Sequence, residues 1–149
     1  MTSTVEVYNP MSAYNSAIGK LEKNGIRATK QRRVLAKLIF DKGKRHISAD
    51  NLFDEVKKDE RKISMATIYN TLKQFTNLGL IREIVVDQNK SLYCNNNQSH
   101  YHLYIEDEGK VIDIPTQNID LDIPSIPACL KLHDIDVIVR VRTLKDKNS

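Results

Sequence analysis

The chain has 149 residues, of which 40% are hydrophobic and 28% charged, and this composition is typical of a folded globular protein. No segment is apolar for the length of a membrane span, and residues 1–15 lack the apolar run of a signal peptide, so no membrane association is expected. Two cysteines, Cys94 and Cys129, are too few for a disulfide framework, and we expect a cytoplasmic protein.

The net charge of +4 is unevenly distributed along the chain. Residues 1–90 carry 17 Lys and Arg against 10 Asp and Glu, whereas residues 91–149 carry 6 against 9. A basic excess confined to one part is expected if that part binds a polyanion such as nucleic acid. A solvated surface would give the same count, so charge alone does not decide between the two.

Apolar residues at spacings of three and four predict four helices before residue 80. The first lies between Met11 and Asn24 and is followed by Gly25, a good helix stop. Each of the others is preceded by a residue whose hydroxyl can cap a helix, namely Thr29, Ser48 and Ser64. The fourth helix, in "SMATIYNTLKQFTNLG", ends at Gly79.

The pattern then changes from helical to extended. Leu80 to Val86 is rich in β-branched residues, residues 87–90 form a turn signal, and residues 91–94 return as a second strand. Three short helices followed by a β-hairpin are typical of a winged helix-turn-helix, in which the fourth helix here would enter the major groove of DNA.

Seven polar residues are predicted to contact DNA if this interpretation is correct. On the fourth helix, hydroxyl and amide side chains suit phosphates and base edges, and a lysine suits a phosphate. Basic residues around the start of the second helix suit the backbone or the minor groove. The set is Arg27, Lys30, Arg32, Thr67, Tyr69, Asn70 and Lys73. The alternative is that these residues form the solvated surface of a helical protein-interaction module.

The polar stretch 95–99 is the predicted boundary between a winged-helix domain, residues 1–94, and a small β-rich domain, residues 95–149. Strands are predicted at His102–Glu106, Val111–Ile114 and Asp134–Leu144. Between the last two, three prolines argue against a long helix.

The sequence His100-Tyr101-His102 indicates a metal or haem site. On a strand, both imidazoles project to one side, about 7 Å apart along the chain, and both can reach one ion or one can bind haem iron. A pair of surface histidines is an equal alternative. His46, Cys94 and Asp113 are candidate further ligands if the fold brings them close, although Cys94 would also suit a buried apolar position.

From about Leu21 to Val141 the sequence resembles the ferric uptake regulator family. The matching segments are "GIRATKQR", "HISADNLF", "SMATIYNTLKQFTNLGLI", "KSLYC" and "HYHLYIEDEGKVIDI". The resemblance implies a homodimeric α+β regulator, with an N-terminal winged helix and a small C-terminal α/β dimerisation domain. It also implies a sensing site at His46, His102 and Asp113 with His100 as a variable member, a base-contacting Tyr69, and a minor-groove role for Arg27.

Departures from the family pattern modify this expectation. The Cys-x-x-Cys of the family's structural zinc is replaced by Ile105 and Glu108, so no structural tetrathiolate zinc is expected. Ser99 and Tyr101 replace the histidine and aspartate of a second site, which we expect to be absent or incomplete. Cys94 occupies a place that is usually acidic. The pattern is most similar to the iron response regulator branch, whose members sense iron through haem.

The sequence therefore predicts a dimeric regulator of iron or haem homeostasis that binds a pseudo-palindromic, A/T-rich operator in double-stranded DNA under the control of haem or iron. The alternative is a repressor responsive to Mn(II), Fe(II) or Zn(II), since mixed imidazole, carboxylate and thiolate ligands suit transition metals. A metal-dependent hydrolase is disfavoured because no general base stands beside the histidines, and we predict that the protein is not an enzyme.

Overall fold

The structure is a computed structural model that describes residues 9–145. The chain divides into two compact units, with the division between Asn97 and Gln98. The predicted domain boundary, after Cys94, lies close to this division. The sequence-based expectation about a signal peptide concerns residues 1–15, and residues 1–8 of these lie outside the described range.

The N-terminal unit begins with the four predicted helices. They are α1 (Pro10–Lys23), α2 (Lys30–Phe40), α3 (Ala49–Lys58) and α4 (Met65–Asn77). The three predicted hydroxyl caps are confirmed, because each oxygen accepts a hydrogen bond from the backbone N–H three residues later, at 3.1–3.2 Å. The cap of α3 is strengthened by Asn51, whose side-chain oxygen accepts from the backbone N–H of Ser48.

The four helices share one hydrophobic core. Phe75 of α4 is fully buried and its ring stacks on that of Phe40 with 6.2 Å between ring centroids. Leu21, Leu35 and Leu52 bring α1, α2 and α3 into the same cluster, and each is fully buried. The apolar stripe predicted for each helix is therefore the face that the core covers.

A three-stranded sheet with the order β1-β3-β2 completes a winged helix, with β1 between α2 and α3 in the chain and the other two strands after α4. β2 (Arg82–Asp87) and β3 (Lys90–Cys94) form the predicted hairpin. β1 (His46–Ile47) pairs antiparallel with β3 and was not predicted. Two residues are too few to show an alternating pattern, so only the pairing partner reveals this strand.

The Asn95 side chain connects β1 and β3 to the end of α2 by hydrogen bonds. Its side chain is 1% exposed, and its amide nitrogen donates to the carbonyls of Ile39 and Gly43, both at 2.7 Å. Its side-chain oxygen accepts from the backbone N–H of Arg45 at 2.7 Å. A buried amide must satisfy its donors and acceptor inside the protein, so these bonds set the path of the chain on both sides of His46 and Cys94.

A half-buried ion pair supports the same corner. The Arg45 guanidinium donates to both carboxylate oxygens of Glu55, at 2.6 and 3.3 Å, and to the Leu38 carbonyl at 3.0 Å. Burial raises the pKa of Glu55, but the hydrogen bond and charge of Arg45, together with Lys42, outweigh burial and hold the pKa below its ordinary 4.5.

Glu55→Gln is expected to lower the free energy of unfolding by about 1–2 kcal/mol near neutral pH, because it removes charge-assisted hydrogen bonds from a side chain that is 20% exposed. A lowered folded-state pKa gives stability that is present above 4.5 and is lost as the pH falls through the folded value. The difference in the free energy of unfolding between Glu55→Gln and wild type should therefore disappear at acid pH. Urea titrations at several pH values measure it, with Glu22→Gln as control, since the Glu22–Arg33 pair is exposed. Equal losses in both variants would contradict the prediction.

The C-terminal unit contains a three-stranded sheet with the order β5-β4-β6. β4 (His100–Ile105) pairs antiparallel with β5 (Lys110–Pro115) and parallel with β6 (Ile138–Val141). A short 3-10 helix, Thr116–Asn118, follows β5, and residues 119–137 form neither helix nor strand. This agrees with the prediction that the prolines prevent a long helix.

The last strand is shorter than predicted. We expected Asp134–Leu144, whereas β6 spans Ile138–Val141. Within residues 9–145, β4 is the only strand that pairs with β6, and β4 ends at Ile105, so residues after Val141 have no described strand to pair with. Arg142 and Thr143 instead bond to Glu106 and Asp107 in the turn after β4, at 2.8 and 2.9 Å. Among the described residues, no helix is long and apolar enough to cross a membrane.

Candidate metal centre and nucleic-acid interface

Alternation along β4 places both histidines on its buried side. His100 and His102 are 6% and 3% exposed, whereas the intervening Tyr101 lies on the other face and is only half-buried. His102 is directly opposite Asp113 in the β4–β5 register, and residues directly opposite in an antiparallel pair project to the same face. The sheet therefore brings together three of the predicted ligands.

The three side chains converge on one point. The Nε2 atoms of His100 and His102 are 2.9 Å apart, and they lie 3.3 and 3.6 Å from Oδ1 of Asp113. Two nitrogens that bind a tetrahedral ion at about 2.0–2.1 Å stand about 3.3 Å apart. The spacing is close to that of a chelating pair, and a small adjustment of either ring would admit an ion.

A backbone carbonyl determines which nitrogen of His100 carries the proton. Nδ1 of His100 is 2.6 Å from the carbonyl oxygen of Gln98. A carbonyl oxygen only accepts, so Nδ1 must donate, and in the neutral ring Nε2 is then the nitrogen that carries the lone pair a metal could bind. An imidazole oriented by such a bond is the arrangement found at metal sites in general.

His46 and Cys94 form a second pair of candidate ligands within the N-terminal unit. They are Cα partners in the β1–β3 pairing, which brings their side chains together on one face. Their ligand atoms lie within 4.8 Å of each other. Cys94 is 1% exposed and forms no disulfide. The structure thus groups the five predicted ligands into a pair on this sheet and a triad on the C-terminal sheet.

These donors fit a transition metal ion. Imidazole and carboxylate are suitable for Zn, Fe and Mn, and a thiolate adds preference for softer ions such as Zn(II). Ca(II) and Mg(II) take oxygen donors almost exclusively, and only Asp113 supplies one among the five residues.

The predicted DNA-contacting residues of α4 lie on its solvent face. Tyr69, Asn70 and Lys73 are exposed, Tyr69 by 52%. Thr67 is half-buried, and its hydroxyl is 2.9 Å from that of Ser64 at the start of the helix. Tyr69, Asn70 and Lys73 are therefore free to reach a duplex laid along α4, whereas the Thr67 hydroxyl is engaged within the protein.

Arg32 connects the segment before α2 to α4, the helix predicted to enter the major groove. Its Nε donates to Oε1 of Gln74 on α4 at 3.0 Å, and its Nη1 donates to the carbonyl of Arg27 at 2.7 Å. Arg27 and Lys30 have exposed side chains. The bonds of Arg32 hold the chain at Arg27 beside α4, a bracing role that sequence patterns do not reveal.

Tyr93 on the wing stays neutral near the same helix. Burial raises the pKa of the Tyr93 hydroxyl, and the nearby Glu83 and Tyr69 raise it further. Glu83 is the register partner of Tyr93 across the hairpin. The wing therefore holds a buried neutral phenol whose pKa is influenced by the exposed phenol of Tyr69.

A winged helix joined to a small sheet that gathers histidine and aspartate ligands defines a class of proteins: DNA-binding regulators with a metal site. The sequence pattern of the ferric uptake regulator family matches residues 23–140. The chain belongs to the ferric uptake regulator family. Its members are transcriptional regulators rather than enzymes, and they bind DNA as dimers through an N-terminal winged helix, with a C-terminal dimerisation domain.

The chain is similar to regulators that are named for peroxide, manganese and ferric iron. The chain is 31% identical to the peroxide-responsive repressor PerR of Staphylococcus aureus. The two sequences align over 110 residues, which is 74% of each chain. It is similar in structure to a zinc-bound manganese uptake regulator, with 27% identity, a TM-score of 0.58, and coverage of 86% of this chain and 98% of the other. The ferric uptake regulator of Pseudomonas aeruginosa with manganese has 21% identity, a TM-score of 0.63, and coverage of 85% and 97%.

Proposed function

We propose that this protein is a dimeric transcriptional regulator whose affinity for operator DNA depends on a bound divalent transition metal ion. The observation that carries the proposal is the convergence of His100, His102 and Asp113 on one point, in a chain that also contains a winged helix. Operator DNA would be pseudo-palindromic and A/T-rich, as the sequence analysis predicted for a twofold dimer. A cytoplasmic location follows from this function.

We further propose that the pair His46 and Cys94 and the triad on β4 and β5 bind the same ion. Residues 95–99 separate Cys94 from His100 along the chain. So short a connection, at about 3.3–3.6 Å of extended chain per residue, would allow both sets of ligands to reach one ion. One ion held by both units would restrict their relative motion, which is a physical basis for changing how two winged helices fit one duplex.

The donor set favours Zn(II) or Fe(II) over Mn(II), because Cys94 supplies a soft sulfur where the family usually has a carboxylate. The zinc-bound manganese uptake regulator supports a divalent ion as effector without choosing between metals. Haem is less well supported. Two Nε2 atoms 2.9 Å apart suit one small ion, whereas an axial haem ligand must stand alone above a flat porphyrin.

Gel-shift titration tests the proposed function. Operator duplexes are first selected from a random library with the zinc-loaded protein. Zn(II) or Fe(II) should raise operator affinity at least tenfold over chelator-treated protein, a coupling of about 1.4 kcal/mol, whereas haemin should not. Operator affinity that is the same with metal and with chelator would contradict metal control. A haemin-dependent change with a Soret band would instead favour the haem interpretation.

Co(II) tests the role of Cys94 directly. We expect Co(II)-loaded wild-type protein to show a thiolate-to-metal charge-transfer band in the near ultraviolet, because a buried thiol beside His46 would bind as thiolate. Cys94→Ser should remove this band. Cys129→Ser is the matched control, since Cys129 is exposed and should leave the band unchanged. A band that disappears only in the Cys129 variant would exclude Cys94 as a ligand.

A further inference from the structure

An open depression of about 420 Å³ on the N-terminal unit is lined by three cationic side chains. Lys30 lies at the start of α2, and Arg61 and Lys62 lie in the connection between α3 and α4. All three side chains are exposed, and Val34 and Ile63 supply apolar parts of the lining. Asp59 and Glu60, which precede Arg61, do not line the depression.

The connection between α3 and α4 has a defined path. The backbone N–H of Glu60 donates to the carbonyl of Lys57 at 3.1 Å, and that of Arg61 donates to the carbonyl of Val56 at 3.2 Å. Glu60 adopts a left-handed conformation with φ of 54°, which ends α3 as a glycine commonly does. Ile63, 5% exposed, anchors the other end. Arg61 and Lys62 therefore extend toward solvent from a fixed backbone.

The depression also lies next to the recognition helix in the chain. Ser64 caps α4 immediately after Ile63, so Lys62 is two residues before the capping position. In a winged helix the recognition helix lies in the major groove with its N-terminal residues at the base edges, so long cationic side chains two or three residues before it can reach the phosphates that flank the groove. Side chains that reach phosphates there add affinity and salt dependence without reading sequence.

We propose that Lys30, Arg61 and Lys62 form a binding site for the phosphate backbone of duplex DNA beside the recognition helix. Arg61 and Lys62 were not among the residues predicted from the sequence, and Lys30 was. Three cations on one open surface match successive phosphates of one strand better than a single anion, because the depression is broad. None of its described lining residues carries a carboxylate that would repel a phosphate. The inference rests on the proposed function, since it needs DNA bound at α4.

The salt dependence of operator binding tests the site. For the intact dimeric protein with metal, log Kobs is plotted against log salt between about 0.05 and 0.2 M. Each lost phosphate contact reduces the slope by about 0.9, so Arg61→Gln with Lys62→Gln should reduce it by about 1.8 per bound protomer. The preference for operator over random duplex should stay unchanged, because phosphate contacts are common to both sequences.

Two control variants test whether the change in slope depends on where the positive charges lie and on the charges themselves. Lys37→Gln with Lys44→Gln makes the same change of charge near the other end of α2, where both side chains are exposed, and should keep the wild-type slope. Arg61→Lys with Lys62→Arg keeps both charges and should also keep the slope. Melting curves check that each variant is folded. If the double variant is unstable, Lys30→Gln alone replaces it in the test, and it should reduce the slope of log Kobs against log salt by about 0.9.

Failure of the phosphate site and failure of the proposed function give different results. If the Arg61 and Lys62 double Gln variant keeps the wild-type slope while wild type still prefers operator over random duplex, the phosphate site is wrong and the proposed function stands. If both double Gln variants reduce the slope equally, the effect is one of net charge and the site is again wrong. If wild type binds operator and random duplex equally, the proposed function fails, and the site fails with it.

Discussion

His102→Ala is expected to lower the affinity for Zn(II) or Co(II) by at least about 100-fold. His102 is 3% exposed, its Nε2 lies 2.9 Å from that of His100, and it is directly opposite Asp113. Removing it leaves one imidazole and one carboxylate in the C-terminal triad. Competition titration with a chromophoric chelator measures the affinity, and metal-dependent operator binding should be lost together with metal binding.

His133→Ala is the matched control for this substitution. His133 is exposed in the segment before β6 and belongs to neither ligand group. The control variant should keep wild-type metal affinity and operator binding. If the His102 variant keeps wild-type metal affinity and operator binding, and its melting temperature shows that the C-terminal unit is folded, the triad is not the sensing site.

Asn70→Ala is expected to weaken operator binding by about 10- to 100-fold, because a bidentate contact between an amide side chain and an adenine edge contributes about 1–3 kcal/mol of discrimination. Asn70 is exposed on the solvent face of α4, one residue after Tyr69. Affinity for random duplex should change little, since phosphate contacts dominate nonspecific binding. Fluorescence anisotropy with operator and random duplexes measures both affinities.

Asn77→Ala controls for the loss of an exposed asparagine from the same helix. Asn77 is the last residue of α4, two turns away from Asn70. It should leave the ratio of operator to random affinity unchanged. An Asn70 variant whose affinity falls equally for operator and random duplex would show that Asn70 contacts the backbone rather than a base.

Local chemistry in the sequence accounts for much of the fold. The hydroxyls of Thr29, Ser48 and Ser64 mark three helix starts because each satisfies a backbone N–H within three residues, an interaction independent of the rest of the chain. The period of two along a strand likewise places His100 and His102 on one side without knowledge of any neighbour. Such interactions can be predicted from the sequence because both partners lie within one short segment of the chain.

Bonds between distant residues could not be read in this way. The bond from Arg32 to Gln74 joins positions 42 residues apart, and the bond from Arg45 to Asn95 joins positions 50 apart. Arg32 looks in the sequence like any other basic residue near a DNA-binding helix. Only the packing of α2 against α4 assigns its guanidinium to the bracing of Arg27.

The sequence by itself determined the starts of three helices, the hairpin and the shared face of the two histidines, because capping and side-chain periodicity act over a few residues. The tertiary structure alone decided that His46 pairs with Cys94 and that Asp113 stands opposite His102. Strand register depends on which strands meet and on what each face buries, and a two-residue strand such as His46–Ile47 carries no pattern that specifies its partner.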